Sequence, residues 1–171
     1  IDLPNTLTPR VPLKNNQTIE DMASAYRGKN KGADISKMTS AIRKQLPDDW
    51  AETQAWHYAK NFSDRQTLSF FDSIKDAEKF SKEVREQGLE IETLHSGNSN
   101  AKNDDIMKRF EEGKLAGVAS VDMISEGFDV DARGLFIGKI STSLREYMQI
   151  IGRGSRSYGE EKNQKTLLVD M

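Results

Sequence analysis

The sequence predicts an α/β fold, a doubly wound parallel sheet with helices on both faces, preceded by a helical N-terminal extension. Three observations support this prediction. From residue 66 onward, short β-prone runs alternate with amphipathic helical segments, which is the pattern of strand–helix–strand units. Serine, aspartate and glycine stand where these helices should begin and end. The most distinctive short sequences follow the predicted strands, where ligands bind in such sheets.

The first part of the chain, residues 1–65, is predicted to be a connector followed by a helical extension. Residues 1–17 hold three of the four prolines and show little periodicity, which indicates an extended connector. Apolar spacing and capping residues then predict helices at residues 18–27, 34–46 and from 48 onward. Little in this part favours a strand.

The second part, residues 66–171, is predicted to be the sheet domain. Strands are expected at residues 67–71, 90–94, 115–121, 134–138 and 166–169. Helices are expected at residues 74–87, 101–112 and 143–151. Ser73 is predicted to cap the first of these helices, and Gly88 and Gly113 to close the first two.

Length and composition restrict the class of protein. The 171 residues are enough for one domain with an appendage, and the absence of cysteine excludes disulfides and thiolate metal sites. No apolar run approaches the roughly 20 residues that a membrane span needs, so we expect no membrane partner and a cytoplasmic location. No other metal-binding pattern occurs, and no metal ligand is predicted in this chain. It begins at Ile1 rather than Met, which suggests a longer parent protein.

Charge bears on nucleic-acid binding. The net charge of −2 argues against strong binding by the isolated chain, because nucleic-acid footprints are usually basic. Contacts made by backbone N–H groups and helix N-termini stay open. Lys29, Lys31, Lys37, Arg43 and Lys44 form a mildly basic stretch, for which a solvated face is the ordinary explanation.

Candidate binding residues follow three predicted strands. They are Ser73, then Ser96 and Gly97, then Asp122 and Met123. Each group stands at or near a predicted helix start, where unpaired N–H groups bind phosphates readily. Since the three groups share one edge of the sheet, a track for nucleic-acid phosphates is favoured over three independent helix caps.

Aromatic and histidine residues carry weaker expectations. Trp50, Trp56 and Tyr58 are expected to pack against the sheet rather than to stack on bases. His95 is expected to pack or cap, and no catalytic role is assigned to it.

A pair of arginines stands near the end of the chain. Gln149, Gly152, Arg153 and Arg156 follow the spacing Q-x-x-G-R-x-x-R, with Gly154 also in the turn. Arginine keeps its charge at any working pH and offers rigid paired donors to phosphate oxygens. This spacing favours a fork for a triphosphate over a solvated helix end.

These sequences resemble motifs V and VI of superfamily 2 helicases. Residues 121–129, read as Val-Asp-Met-Ile-Ser-Glu-Gly-Phe-Asp, correspond to motif V, and the arginine segment corresponds to motif VI. The chain is most similar to the second, C-terminal RecA-like domain of the branch that reads "TEGFDVP" and then "Q-x-x-GRGLR". The resemblance covers residues 66–171 well and residues 1–65 loosely.

The resemblance implies roles for individual residues. Arg153 and Arg156 would reach across an interdomain cleft to the γ-phosphate of ATP, with Gln149 orienting one of them or touching phosphate. Asp129 would lie near the nucleotide sugar or the arginines, in a turn that needs Gly127. The strand-end residues would hold one nucleic-acid strand by its backbone.

Departures from the family pattern are also informative. Many branches carry threonine where Val121 stands, so one hydroxyl contact is missing. Other branches have arginine at Glu126, which leaves its role open. Neither a phosphate-binding G-x-x-x-x-G-K-[S/T] loop nor an Asp-Glu magnesium motif occurs, so ATP and Mg²⁺ would be held mainly by an absent first domain.

The sequence therefore predicts the second motor domain of an ATP-dependent DNA or RNA helicase or translocase. Its expected partners are a nucleic-acid backbone and the N-terminal RecA-like domain of the same protein. The fragment alone is expected to be inactive. Two alternatives stay open: a translocase subunit of a restriction or repair complex, and a non-catalytic RecA-like interaction platform.

Overall fold

The computed structural model describes residues 5–9, 11–29, 35–123, 132–140, 148–150 and 167–171. The helices are α1 (Ile19–Lys29), α2 (Ile35–Arg43), α3 (Trp50–Phe62), α4 (Ile74–Glu86) and α5 (Asn100–Glu111). The strands are β1 (Asn5–Leu7), β2 (Thr67–Phe70), β3 (Ile91–Leu94), β4 (Gly117–Ser120), β5 (Gly134–Ile137) and β6 (Leu167–Asp170). Residues 148–150 are also helical.

The described strands form one parallel sheet of six, in the order β1-β6-β5-β2-β4-β3. Consecutive residues of a strand point to opposite faces, and both faces of this sheet are covered. Leu68 and Phe70 of β2 pack in the cluster that contains α5 residues and Ile150. Phe71 and Phe136 pack in the other cluster, against α3 and α4. The predicted doubly wound sheet with helices on both faces is confirmed.

The N-terminal connector differs from the prediction. Residues Asn5–Leu7 form β1, a strand that pairs in parallel with β6 in the register Asn5 to Leu167. The residue pattern does not predict this strand, because three residues are too few to show alternation. An edge strand such as β6 leaves a row of unpaired N–H and C=O groups, and pairing with β1 covers them.

Helix α3 lies unusually close to the sheet. Tyr58 and Phe62 are buried, and the Tyr58 ring meets the Phe80 ring edge-on at a centroid distance of 5.4 Å. Gly117 and Gly134 flank Thr67 on its two neighbouring strands. A Cβ atom at Gly134 would lie 2.7 Å from the Phe62 ring. The two glycines therefore make the room into which α3 inserts its aromatic side chains.

Packing also crosses residue 65, where the sequence predicted a division between the extension and the sheet domain. Tyr58 and Phe62 precede that point and belong to the same buried cluster as Phe80 and Phe136, which follow it. The division stays a prediction about domains. In the structure, α3 packs directly on one face of the sheet and shares its core.

Helices α1 and α2 form a smaller unit, which we call the α1–α2 unit. Its centre is Leu13, Met38 and Ile42, and Ile140, just beyond β5, packs against it. Thr18 and Asp21 cap α1 reciprocally, each side chain accepting from the other's backbone N–H at 3.1 Å. The unit therefore sits at the edge of the sheet where β5 ends. In the described ranges we find no helix long and apolar enough to cross a membrane.

Candidate nucleic-acid and nucleotide interface

The carboxyl ends of the strands meet along one edge, which we call the carboxyl edge. Backbone hydrogen bonds continue the sheet pairing past the strand ends, from Phe71 N to Ser120 O at 3.0 Å and from Val121 N to Leu94 O at 3.0 Å. Gly138 N donates to Phe70 O at 2.9 Å. Because neighbouring strands lie about 4.8 Å apart, the described residues that directly follow β2, β3, β4 and β5 are neighbours. This brings the predicted strand-end residues onto one surface.

Ser73 occupies the predicted cap position of α4. Its Oγ accepts from Asp76 N at 3.2 Å, and its carbonyl accepts from Ala77 N at 3.1 Å. The N–H groups of Ile74 and Lys75 donate to no other described residue, as expected for the first turn of a helix. The Ser73 side chain is thus used as a helix cap. The N–H groups of Ile74 and Lys75 are the donors that could bind a phosphate here.

The loop after β3 is fixed by side-chain amides. Asn98 Nδ2 donates to Thr93 O and to Asn103 Oδ1, both at 2.9 Å, and Asn103 Nδ2 donates to His95 O at 3.0 Å. These bonds close the loop beneath Ser96 and Gly97, which are exposed.

His95 has the structural role expected of it. The side chain is buried, and its Nδ1 accepts from Gly97 N at 3.1 Å. Its Nε2 lies 3.6 Å from Glu78 Oε1. The Gly97 N–H is therefore already paired within the loop, and Ser96 is the more available of the two predicted phosphate ligands.

Asp122 and Met123 follow β4. Asp122 has a φ of 55°, a left-handed conformation that costs energy for most residues and that Asp tolerates better than most. Its carboxylate is 79% exposed and lies 3.7 Å from Lys139 Nζ, so a phosphate contact here would have to use the backbone or Lys139. Met123 packs against the hydrophobic core, which limits it to backbone contacts.

An ion-pair network that the sequence analysis missed joins this edge to the α1–α2 unit. Arg43 Nη1 lies 2.6 Å from Asp76 Oδ2, and Arg43 Nη2 lies 3.5 Å from Asp72 Oδ2. Asp72 Oδ2 also accepts from Ile140 N at 2.9 Å. Burial raises the pKa of Asp72, while the Ile140 N–H, Lys139 and Arg43 act in the opposite direction. Without these partners, two carboxylates would stand beside the free N–H groups of α4.

The nucleotide-side predictions are placed only in part. Gln149 is exposed on a helical segment whose next residue, Ile150, is buried in the core. The remaining four residues, Gly127, Asp129, Arg153 and Arg156, lie outside the described residues. Their roles stay predictions.

Lys139 and Asp170 are edge residues that the sequence analysis did not select. Lys139 follows β5 and its side chain is only 12% exposed, so a largely buried cation lies at the carboxyl edge. Asp170 ends β6 and is half-buried. The strand-end rule that selected Asp122 could have found both, but neither stood in a recognisable motif.

Burial raises the pKa of Asp170 to about 6 from an ordinary value of 3.8. The folded state then binds this proton more tightly than the unfolded state, so stability falls as pH rises from about 4 to about 6. We expect Asp170→Asn to stabilise the chain at pH 7 by about 1–2 kcal/mol and to leave it unchanged at pH 4. Thermal melts at both pH values check this, with exposed Asp104→Asn as the control. An equal gain at both pH values would contradict the assignment.

Metal binding within this chain finds no support in the described part. In those segments no three His, Asp or Glu side chains come together as possible ligands.

The parallel six-stranded sheet, covered on both faces and with its strand ends aligned at the carboxyl edge, defines a doubly wound α/β domain. Comparison with protein families makes the class specific. The family described as "Helicase conserved C-terminal domain" matches residues 32–158. The chain belongs to this family and is a superfamily 2 helicase C-terminal RecA-like domain.

Curated relatives agree with this assignment. A 51.5 kDa protein of a Lactococcus phage is 24% identical over 86% of this chain and 31% of its own length. The ATP-dependent RNA helicase eIF4A of Candida albicans is 29% identical over 53% of this chain and 23% of its own length. A DEAD-box ATP-dependent RNA helicase of Oryza sativa is 30% identical over 50% of this chain and 13% of its own length. The chain thus spans about a third of these relatives or less.

Solved structures show the same fold. The C-terminal domain of the DEAD-box protein Dbp5 superposes with a TM-score of 0.60 and 17% identity, covering 72% of this chain and 69% of that one. The E. coli DEAD-box protein SrmB superposes with a TM-score of 0.57 and 19% identity, over 70% of this chain and 68% of that one.

Proposed function

We propose that this chain is the second motor domain of an ATP-dependent DNA or RNA helicase or translocase. The observation that carries the proposal is the convergence of the loops after β2, β3 and β4 on one edge, in a chain of the helicase C-terminal family. The relatives named as RNA helicases favour RNA over DNA as the nucleic acid.

The carboxyl edge would bind the nucleic-acid backbone. Two free N–H groups begin α4, beside Ser73, and a helix N-terminus attracts anions. Ser96 and the backbone of Asp122 and Met123 would extend the contact along the edge. Gly97, whose N–H is paired with His95, would let the strand approach the loop closely. Backbone donors read phosphates rather than bases, which fits an enzyme that acts on many sequences.

The first RecA-like domain of the same protein would hold ATP and Mg²⁺, which supply the phosphoryl-transfer chemistry. In this chain, Arg153 and Arg156 would neutralise charge on the γ-phosphate, and Gln149 would orient one of them. Asp129 would accept from the ribose or lie near the arginines, with Gly127 shaping its turn. Ile150 packs in the core, and the preceding Gln149 is exposed, which leaves its amide available for the proposed contact.

Two alternative functions would use the same candidate site. A translocase of a restriction or repair complex would hydrolyse ATP and move along duplex without separating its strands. A non-catalytic platform would keep the fold without hydrolysis. ATPase and strand-separation assays on the protein that contains this chain distinguish the three. Loss of ATPase activity on removal of either arginine would leave the two motor functions, and strand separation would choose between them.

The isolated chain should be inactive. We expect purified residues 1–171 to show no ATP turnover above background, because the phosphate-binding loop and magnesium ligands are expected in another domain. Single-strand binding should be weak and should collapse between low and moderate salt, as expected for phosphate contacts. A malachite-green phosphate assay and fluorescence anisotropy check this. Turnover by this chain alone would contradict the proposed division of the site.

A further inference from the structure

We propose that the α1–α2 unit carries a second contact for the nucleic-acid backbone, in a basic groove beyond the carboxyl edge. The groove has a volume of about 450 Å³ and is lined by Met22, Lys37, Ser40, Ala41, Lys44 and Gln45. The inference rests on the proposed function and extends its phosphate track to a site on a different structural unit.

The groove is suited to an anion. Lys37 and Lys44 are exposed, and neither ammonium group pairs with a carboxylate of another described residue. Ser40 and Gln45 add a hydroxyl and an amide to the lining, and none of the six described lining residues is acidic. The groove is basic in a chain whose net charge is −2, so this concentration of positive charge is local.

The distance between Lys37 and Lys44 along α2 matches the spacing of phosphates along a nucleic-acid strand. Lys44 N donates to Ser40 O at 3.3 Å, so the helical pattern of α2 continues to Lys44. Seven residues of helix rise about 10 Å, which is close to three nucleotides of a stacked strand at about 3.4 Å each. Both ammonium groups can therefore contact phosphates of one short segment.

The groove lies near the predicted track. Ile140, just after β5, packs against the core of the α1–α2 unit, and Arg43 of α2 pairs with Asp72 and Asp76 beside the start of α4. Arg43 and Lys139 together reduce the repulsion that these two carboxylates would exert on phosphates between the groove and the track. A nucleic-acid strand bound at the first N–H groups of α4 can then continue onto Lys37 and Lys44.

The test compares oligonucleotide affinity in the protein that contains this chain. Lys37→Ala/Lys44→Ala should weaken binding of a single-stranded oligonucleotide and lower the salt slope by about 1.4, because each single-strand phosphate contact contributes about 0.7. The ratio of wild-type to variant affinity should therefore fall about sevenfold between about 50 and about 200 mM salt. Fluorescence anisotropy over that salt range measures both quantities.

The matched control is Lys108→Ala/Lys114→Ala. It removes the same charge from exposed lysines at the end of α5, on the edge of the sheet opposite the carboxyl edge. Lys114 pairs there with exposed Glu112 at 2.6 Å, a contact that contributes little to stability. Thermal melts verify that both variants are folded. The inference is overturned if the groove variant and the control show the same affinity and salt slope.

Failure of the inference can be told apart from failure of the proposed function. If the wild-type protein hydrolyses ATP and binds single strands while the groove variant binds as the control does, only the groove is wrong. If the wild-type protein binds no single strand under low salt, both proposals fall.

Discussion

Arg153→Ala or Arg156→Ala, made in the protein that contains this chain, is expected to reduce the ATP turnover number by about 10³-fold or more. An arginine that meets the transferring phosphoryl group stabilises charge that develops in the transition state, and comparable arginines in GTPases contribute about 10³ to 10⁵ in rate. Steady-state hydrolysis, measured with and without nucleic acid, gives the effect. Both variants should be assayed, because the sequence does not rank the two arginines.

The control for this prediction is Arg109→Ala. Arg109 also lies in ion pairs, with Asp105 at 2.8 Å and Glu92 at 3.3 Å, but it stands near the end of α5, away from the carboxyl edge. Its removal should leave turnover within about twofold of wild type, because it lies away from the proposed nucleotide site and its partly exposed ion pairs contribute little to stability. Unchanged turnover in both Arg153→Ala and Arg156→Ala would remove the proposed mechanism.

Affinity for nucleotide separates two explanations of a slow variant. A transition-state arginine should lower turnover much more than it weakens binding of a non-hydrolysable ATP analogue. Equal losses in turnover and analogue affinity would indicate ordinary ground-state binding, and the arginines would then be nucleotide ligands rather than catalytic residues.

Gly117→Ala is expected to give the largest loss of stability among the changes considered. A Cβ atom at residue 117 would overlap the Tyr58 hydroxyl and lie 3.0 Å from the Thr67 carbonyl oxygen. Overpacking of a core costs about 1–3 kcal/mol, and an unyielding backbone oxygen places this site at the upper end. The melting temperature should fall by roughly 5–10 °C, as measured by circular dichroism.

A second substitution tests the cause of that loss. The Tyr58 hydroxyl is buried and meets no hydrogen-bond partner of good geometry among the described residues. Tyr58→Phe alone should therefore be nearly neutral, and it should restore about half of the stability lost in Gly117→Ala. Gly88→Ala is the control for backbone strain, because Gly88 has a φ of 86° and open space around it; it should cost about 1 kcal/mol. Equal destabilisation by Gly117→Ala in both backgrounds would rule out the contact with Tyr58.

Much of the fold could be predicted because it depends on local sequence patterns. The alternation of strand and helix depends on apolar spacing, and α4 shows how closely the local signals agree. Its first residue is Ile74, Ser73 caps it, and Gly88 follows with the positive φ that ends a helix. The strand-end rule then placed Ser73, Ser96 and Asp122 on one edge, and the sheet pairing confirms that they share it.

The packing of the aromatic residues was predicted less well. Tyr58 is buried as expected, but Trp56 is 51% exposed, with Lys60 Nζ 4.7 Å from the centre of its ring. Both residues lie on α3, and helical spacing alone does not say which face of a helix meets the sheet. The prediction was therefore right for one of them and wrong for the other.

By itself, the sequence determined the fold class, the helicase resemblance and the edge at which binding residues gather, because these depend on periodicity, capping and short motifs. Only the tertiary structure decided that β1 completes the sheet, that Arg43 shields Asp72 and Asp76, and that Gly117 and Gly134 admit α3. These features join residues far apart in the chain, as the bond from Ile140 N to Asp72 across 68 positions illustrates. Such contacts leave no periodic trace in the sequence, since each depends on how whole elements pack and on how burial changes the cost of a charge.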